Sequence, residues 1–450
     1  KAVGSAKRQL LYQFLSESLL VAVIAFVISI FLVWMFLPVF NEIAEKKMVI
    51  LWSNPFFWSI AILFTFVTGL VAGAYPAFYL SSFKPIRVLK GATPTGGFGR
   101  IPRKVLVIAQ FTVSIVLIIG VIVVFKQIDF SENRPVGYNR NGLITIANRT
   151  QDIHNHFDAV KKELIDAGAI VEMAESHSPS TDVWLGLDGF DWRGEDPNSQ
   201  ASFGAIMVSH DFGKTVGWNF LKGRDFSKEY ASDSAAFILN EAAAKFMGFK
   251  NPIGEIITLK FGSSEKTSYT VIGVIKDMLM ESPYESVSPS VFFLNRNRSN
   301  FETIRLSPAT DTRSALSKIE TVFKKYAPAS PFEYKFVDAE YAKKFGDEKR
   351  TGKLAVVFAV LAVFISCLGI FGLAAFTSAQ RTKEIGVRKV VGASIFNLWA
   401  LLSKEFIVLV FVSFLLAAPI AWYFMNKWLN NYEYRAVISW WVFVVTCLGA

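Results

Sequence analysis

The chain reads as a membrane protein: an α-helical transmembrane bundle of five complete spans plus part of a sixth, carrying an extracytoplasmic mixed α+β domain of two lobes. Three observations predict this. Of its 450 residues, 52% are hydrophobic and 15% aromatic, and mean hydropathy is +0.37, richer in apolar side chains than a soluble chain. Apolar runs of spanning length flank one long polar stretch. A short basic segment recurs beside two of those runs.

A spanning helix takes roughly 20 mainly apolar residues. Five segments meet that length, about Leu15 to Leu37, Phe56 to Leu80, Val105 to Phe125, Leu354 to Thr377 and Phe406 to Met425. A sixth starts near Val437 and runs uncharged to Ala450, as if the chain ended inside a helix. The repeated segment opens the chain in mid-motif. Both observations suggest a fragment lacking an N-terminal portion and a short C-terminal tail.

Placing Lys1 on Lys389 aligns Val3 with Val391, Gly4 with Gly392, Leu10 with Leu398 and Glu17 with Glu405. Self-similarity at one offset marks a duplicated architecture. Charge orients it. Ser81 to Lys104 carries Lys84, Arg87, Lys90, Arg100, Arg103 and Lys104 with no acid, and short loops this basic stay cytoplasmic. Lys1 to Phe14 and Arg381 to Lys404 are also net basic, so residues 126–353 face outward. Within Gln127 to Arg350, 31 acidic residues outnumber 27 basic ones. The overall net charge of +10 therefore belongs to the membrane part. It fits topology and membrane lipid rather than nucleic acid, since no basic patch sits on a soluble module.

The outer segment alternates irregularly between strand and helix. Leu143–Ala147, Phe203–Val208, Ala236–Leu239, Tyr269–Ile275, Ser290–Leu294 and Thr303–Leu306 are short, apolar or alternating, and bounded by turn formers. His154–Asp166, Glu241–Met247 and Thr310–Tyr326 repeat apolar residues at helical spacing, with Asn240 and Asp311 placed as caps. Two small lobes follow rather than one doubly wound sheet. Phe125–Asn133 and Asp338–Lys353 look amphipathic and continuous with the third and fourth spans, as a stalk carrying displacement would be.

The chemistry is mostly negative. No Gly-x-x-x-x-Gly-Lys-Ser/Thr cradle is present, and Gly91–Gly99 lacks its lysine, so it reads as a linker. His154 and His156 sit two apart without a His-Glu-x-x-His helix. His177, Ser180 and Asp182 have no strand-to-helix nucleophile elbow. Cys367 and Cys447 lie inside spans and imply no disulfide. Nothing supports an enzyme, a metal or a cofactor. Within the spans, Gln110 is the strongly polar residue, expected as interhelical glue, and Gly69 and Gly73 permit close helix packing. Gly369 and Gly372 could do likewise. No span carries the string of charges an ion-coupled carrier needs, so energy must come from elsewhere.

Glu384-Ile385-Gly386-Val387-Arg388-Lys389-Val390-Val391-Gly392-Ala393-Ser394, followed by Leu401-Leu402-Ser403-Lys404-Glu405-Phe406, resembles the hallmark of FtsX-like permeases, the MacB-type membrane subunits of ABC transporters. Tyr75–Ser81, Lys84–Gly91, Gln110–Ile115, Asn251–Gly254 and Gly273–Asp277 resemble further family motifs. The double-repeat form is implied, each half having one span, an outer domain and three more spans, with this chain holding the last three spans of the first half and most of the second. On that reading residues 1–14 are a partial coupling element, 15–80 first-repeat spans, 81–104 a cytoplasmic loop, 105–125 a span, 126–353 a MacB-like domain with stalk helices and 354–450 an FtsX-like domain with its coupling helix at 379–404.

The resemblance implies a permease of the cytoplasmic (inner) membrane, driven by a separate cytoplasmic ABC ATPase dimer whose closure moves the outer domain. Export, efflux or extraction of a cargo would follow. The coupling residues would be Glu384, Ile385, Gly386, Arg388, Lys389 and Gly392, with Lys1 and Gly4 in the first copy. Ile385 and Val391 would enter an apolar groove, Arg388 and Lys389 meet acidic rims, and the glycines allow close approach or a bend. The bland counterpart is an amphipathic helix lying on lipid. The competing function is a sensory or regulatory membrane protein whose outer domain activates an extracytoplasmic partner such as a cell-wall hydrolase.

Overall fold

Long uncharged apolar sequence satisfies its own backbone only as helix in a bilayer. The computed structural model describes residues 7–82, 101–195, 201–261, 265–295, 299–392 and 394–449. Lys1, Gly4 and most of the loop 81–104, expected to be cytoplasmic, lie outside the described residues. Helix α1 spans Lys7–Ala44, α2 Pro55–Ser82 and α3 Ile101–Glu132. α1 and α3 overrun their expected spans by a turn or more at each end, whereas α2 keeps to its expected span within two residues. α1 and α2 pack closely along Gly69 and Gly73. A Cβ at Gly73 would lie 2.7 Å from Ser18 Oγ, and one at Gly69 3.1 Å from Leu19 Cδ1.

The outer unit comprises residues 126–347 and 427–437. Its strands are β1 Leu143–Ala147, β2 Ile170–Ser176, β3 Gly186–Leu187, β4 Phe190–Trp192, β5 Phe203–Val208, β6 Phe220–Gly223, β7 Ala236–Asn240, β8 Ile256–Phe261, β9 Glu265–Ile275, β10 Ser290–Leu294, β11 Phe301–Leu306 and β12 Tyr334–Phe336. Its helices are α4 Asp152–Asn155, α5 Phe157–Asp166, α6 Phe212–Val216, α7 Glu241–Phe246, α8 Thr312–Tyr326 and α9 Val337–Lys343. The expected His154–Asp166 helix is broken at His156. Asn240 caps α7 by accepting from Ala243 N, and Asp311 caps α8 by accepting from Arg313 N and Ser314 N.

The strands form one mixed sheet in the order β12-β1-β11-β2-β5-β10-β7-β9-β8-β4. The two expected lobes are therefore halves of a single sheet, joined where β2 meets β5 at one residue pair, Ser176 and Val208. Each half has its own core. Ile144, Met173 and Ile304 meet Val160 and Leu164 of α5 and Ile319 and Phe323 of α8 in one. Phe203, Phe237, Leu239 and Phe293 fill the other. A third cluster carries Leu143 and Ala174 from one half and Val208, Ile238 and Phe292 from the other. That shared core makes the lobes inseparable, since each fully buried large side chain contributes about 1.5–3 kcal/mol. Alternate residues of β5, β7 and β10 enter different clusters, so these strands are buried on both faces and read as continuous apolar runs.

The rest of the membrane unit comprises α10 Gly346–Gln380, α11 Thr382–Val390, α12 Ile395–Leu429 and the shorter α13 Trp440–Gly449. Five helices, α1, α2, α3, α10 and α12, are long and apolar enough to cross a membrane. The expected continuous stalk from Asp338 to Lys353 is interrupted, because α9 ends at Lys343 and α10 starts at Gly346. Val107 and Phe111 of α3, Leu373 of α10 and Leu409 of α12 pack together. Ser114 and Ser366 share a hydrogen bond of 2.9 Å. Gln110 lies over Gly369, where a Cβ would sit 2.4 Å from its Oε1.

Candidate coupling element and outer cleft

Helix α11 is short and fixed at both ends. Ile385 N donates to Arg381 O at 2.9 Å, opening the helix. At the other end Gly392 adopts φ +91°, a left-handed conformation that stops the helix at little cost only for glycine. Gly392 N donates to Lys389 O at 3.2 Å, and Ser394 Oγ then accepts from Asn397 N at 3.2 Å to start α12. Gly392 is thus the bend. A Cβ at Gly386 would meet nothing within 4 Å, so neither a bend nor a close contact explains that glycine here.

The sequence places Glu384, Arg388 and Lys389 on this helix, and all three are exposed. Arg388 Nη2 and Glu384 pair one turn apart at 2.8 Å, an interaction worth about 0.3–0.5 kcal/mol at a surface. Ile385 is half-buried. The exposed apolar residues are instead Val387, Val390 at 89% and Val391 at 82%, continued by Ile395, Phe396 and Trp399 at the start of α12. Spacing alone could not separate Ile385 from Val387, because both lie among polar neighbours.

Behind α11, Glu405 of α12 accepts from Arg381 Nη2 and pairs with Lys104 Nζ of α3 at 3.5 Å. The Arg103 guanidinium stands 3.8 Å over the Phe376 ring of α10. Three helices are therefore tied at one level by charge. Glu17, the repeat counterpart of Glu405, accepts from Gln13 Nε2 at 3.2 Å.

In the outer unit, sequence reasoning missed the segment 427–437, the last residues of α12 and those after it. Gln127 Nε2 donates to Tyr434 O at 2.8 Å while its Oε1 accepts from Ala436 N at 2.7 Å. The Tyr434 ring stacks on Phe130 at 4.6 Å, and the Arg134 guanidinium stands 4.3 Å over it. Ser286 N donates to Glu433 Oε2 at 2.6 Å, and hydrogen bonds from the Ser286 side chain and then its backbone hold the carboxyl below its usual range. The aromatic pair Tyr432 and Tyr434 was the available signal, but its strand-like alternation covers only three residues.

A cleft of about 440 Å³ opens beside β12, with Trp184, Phe301, Tyr334, Glu340 and Lys344 among its walls. That volume suits a small ligand or a peptide side-chain cluster. Lys344 Nζ donates to the carbonyls of Thr181, Met280 and Glu281 at 2.6, 2.9 and 3.0 Å, and burial lowers its pKa. The Lys343 hydrogen bond holds the Glu340 carboxyl below its usual range. His177, Ser180 and Asp182 do not assemble into a nucleophile and base: His177 Nδ1 is 3.4 Å from Ser178 Oγ, and Asp182 Oδ1 accepts from Val183 N. His154 Nδ1 instead contacts the buried Glu175 at 2.6 Å. Among the described residues no group of His, Cys, Asp and Glu could hold a metal ion.

Family comparisons divide the chain along these lines. The FtsX-like permease C-terminal family matches residues 1–85 and 356–450, and the MacB-like periplasmic core domain matches residues 106–322. The core-domain match begins within α3. No curated protein matches the chain. Similar solved structures include the periplasmic region of MacB from Actinobacillus actinomycetemcomitans, at 14% identity and TM-score 0.33, covering 45% of this chain and 92% of that one. The extracellular domain of the noncanonic ABC-type transporter YknZ from Gram-positive bacteria gives 12% identity and TM-score 0.30, covering 43% and 97%. A domain of a permease protein from Porphyromonas gingivalis gives 12% identity and TM-score 0.28, covering 41% and 79%. An FtsX-like segment on either side of a MacB-like core domain, with five helices of spanning length among the described residues, makes this protein a member of the FtsX-like, MacB-type permeases of ABC transporters.

Proposed function

We propose that the chain is the mechanotransmitting permease of an inner-membrane ABC transporter, moved from the cytoplasm by a separate ATPase dimer. α13 would supply the outer part of a sixth span, and residues 126–353 would work outside the membrane on a cargo or a partner protein. One observation carries the reading: α11 presents Val387, Val390 and Val391 together with Arg388 and Lys389 on a helix stopped by Gly392, a shape suited to an apolar groove with acidic rims. The recurrence of this element at the start of the chain supports two docking points. In the outer unit, the bonds of Gln127 and the Phe130–Tyr434–Arg134 stack tie the end of α3 to segment 427–437, so displacement of α3 would be felt there as well as at β1.

The test is a double reversal, Arg388→Glu with Lys389→Glu, in the permease purified with its ATPase. Permease-dependent stimulation of ATP hydrolysis should fall while the outer domain keeps its thermal transition. Unchanged stimulation would refute docking through α11.

A further inference from the structure

Cytoplasmic displacement of α11 needs a route to α3, the helix that runs unbroken from Ile101 to Glu132. α11 makes its nearest charged contact with that region through Arg381, the residue just ahead of its first turn. Arg381 Nη2 donates to Glu405 Oε1, and the other carboxylate oxygen, Oε2, lies 3.5 Å from Lys104 Nζ at the start of α3. One side chain on α12 thus uses both its oxygens, one for each neighbouring helix. Glu405 is only partly exposed, which strengthens charge pairing relative to open water.

We propose that Glu405 is the positioning residue that passes movement of α11 to α3, an inference that rests on the permease reading above. Arg381 pulls on Glu405, and Glu405 carries Lys104 and the first turn of α3 with it. Arg103 on Phe376 keeps that same turn against α10, so the three helix ends shift as one body. The link works through opposite charge, and a neutral isostere leaves the packing in place while releasing the two cations. Glu17 has the same place in the first repeat, where it accepts from Gln13 of its own helix.

The experiment uses the full permease purified with its cytoplasmic ATPase. Glu405→Gln should leave the amount of bound ATPase and the thermal transition unchanged and cut permease-stimulated hydrolysis about fivefold, the lower end of ordinary allosteric coupling. Glu405→Asp should recover most of the stimulation. Lys104→Met should show a similar loss alone and add nothing in the Glu405→Gln background, because the two act in series. Full stimulation in Glu405→Gln, or additive losses in the double variant, overturns the proposal while leaving docking intact. If the unaltered permease changes no ATPase rate, the docking reading itself fails, which is a separate outcome. Should Glu405→Gln not fold, Lys104→Met and Arg381→Gln interrogate the same link from its two ends, and full stimulation in both overturns it.

Discussion

Asp225 should make the outer domain lose stability as pH rises, against the usual trend for carboxylates. Its carboxyl is pushed up to about 6, mainly by burial, although Phe226 N and Trp218 Nε1 both donate to it, at 2.8 and 3.1 Å. An unfolded aspartate titrates near 3.9, so between roughly pH 4 and 6 the folded chain holds a proton that the unfolded chain has released. The stabilisation is fully present below about pH 4 and disappears as pH rises through 6. A shift of about two units corresponds to about 3 kcal/mol. Asp225→Asn removes the titration at the loss of one accepted hydrogen bond, since its amide nitrogen cannot accept from both Phe226 N and Trp218 Nε1. The stability of the variant relative to the unaltered chain should therefore rise by up to about 3 kcal/mol between pH 4 and pH 7.5. Urea unfolding of the outer-domain transition, followed by circular dichroism and tryptophan fluorescence, measures both proteins from pH 4 to 8. Other carboxylates, such as Asp233 and Glu340, have lowered pKa values and give the opposite slope, but they cancel in the difference. A difference that stays constant across that range would refute the argument.

Further outcomes follow from single contacts. Gly73→Val forces α1 and α2 apart, because its Cβ would stand 2.7 Å from Ser18 Oγ; a cost of about 1–3 kcal/mol should appear as a lower melting temperature of the membrane unit. Asp233 is fully buried and takes Arg224 through both oxygens at 2.6 and 2.7 Å, so Asp233→Asn should destabilise the outer domain by about 2–4 kcal/mol in thermal unfolding. Gly392→Val puts a β-branched residue at φ +91° and should cost about 1–3 kcal/mol locally, seen as faster hydrogen exchange in α11 and weaker ATPase stimulation with the outer domain unaffected.

Much of this architecture was legible because burial on two faces and burial in lipid both write themselves as apolar sequence. β1, β5 and β10 fall on their expected residues, and the caps Asn240 and Asp311 make the predicted bonds. β2 escaped notice because Glu172, Glu175 and Ser176 interrupt its apolar residues. Two of those three are buried by partners distant in sequence: Glu175 by His154 and Ser209, and Ser176 by Val208. β8, paired residue for residue with β9, was missed although Ile257, Leu259 and Phe261 alternate with Thr258 and Lys260 as in a half-buried strand. The union of the two half-sheets also could not be read, since it rests on one residue pair and on a core assembled from both halves.

The repeat shows most directly why sequence pattern stops short of the site. At the 388-residue offset, Leu409, Ser413, Ala417 and Ala421 of α12 correspond to Val21, Ala25, Ser29 and Val33 of α1. The first four are buried, with Leu409 packed on α3 and α10 and Ser413 O 3.4 Å from Thr112 Oγ1. The second four are exposed, because α1 turns a different face, that of Leu15, Ser18, Leu19 and Ala22, toward the glycines of α2. Similar helices thus acquire different buried faces from their neighbours alone. Glu17 and Glu405, equal in the repeat, likewise meet different neighbours: Glu405 pairs with Arg381 and Lys104, and Glu17 accepts from Gln13 of its own helix.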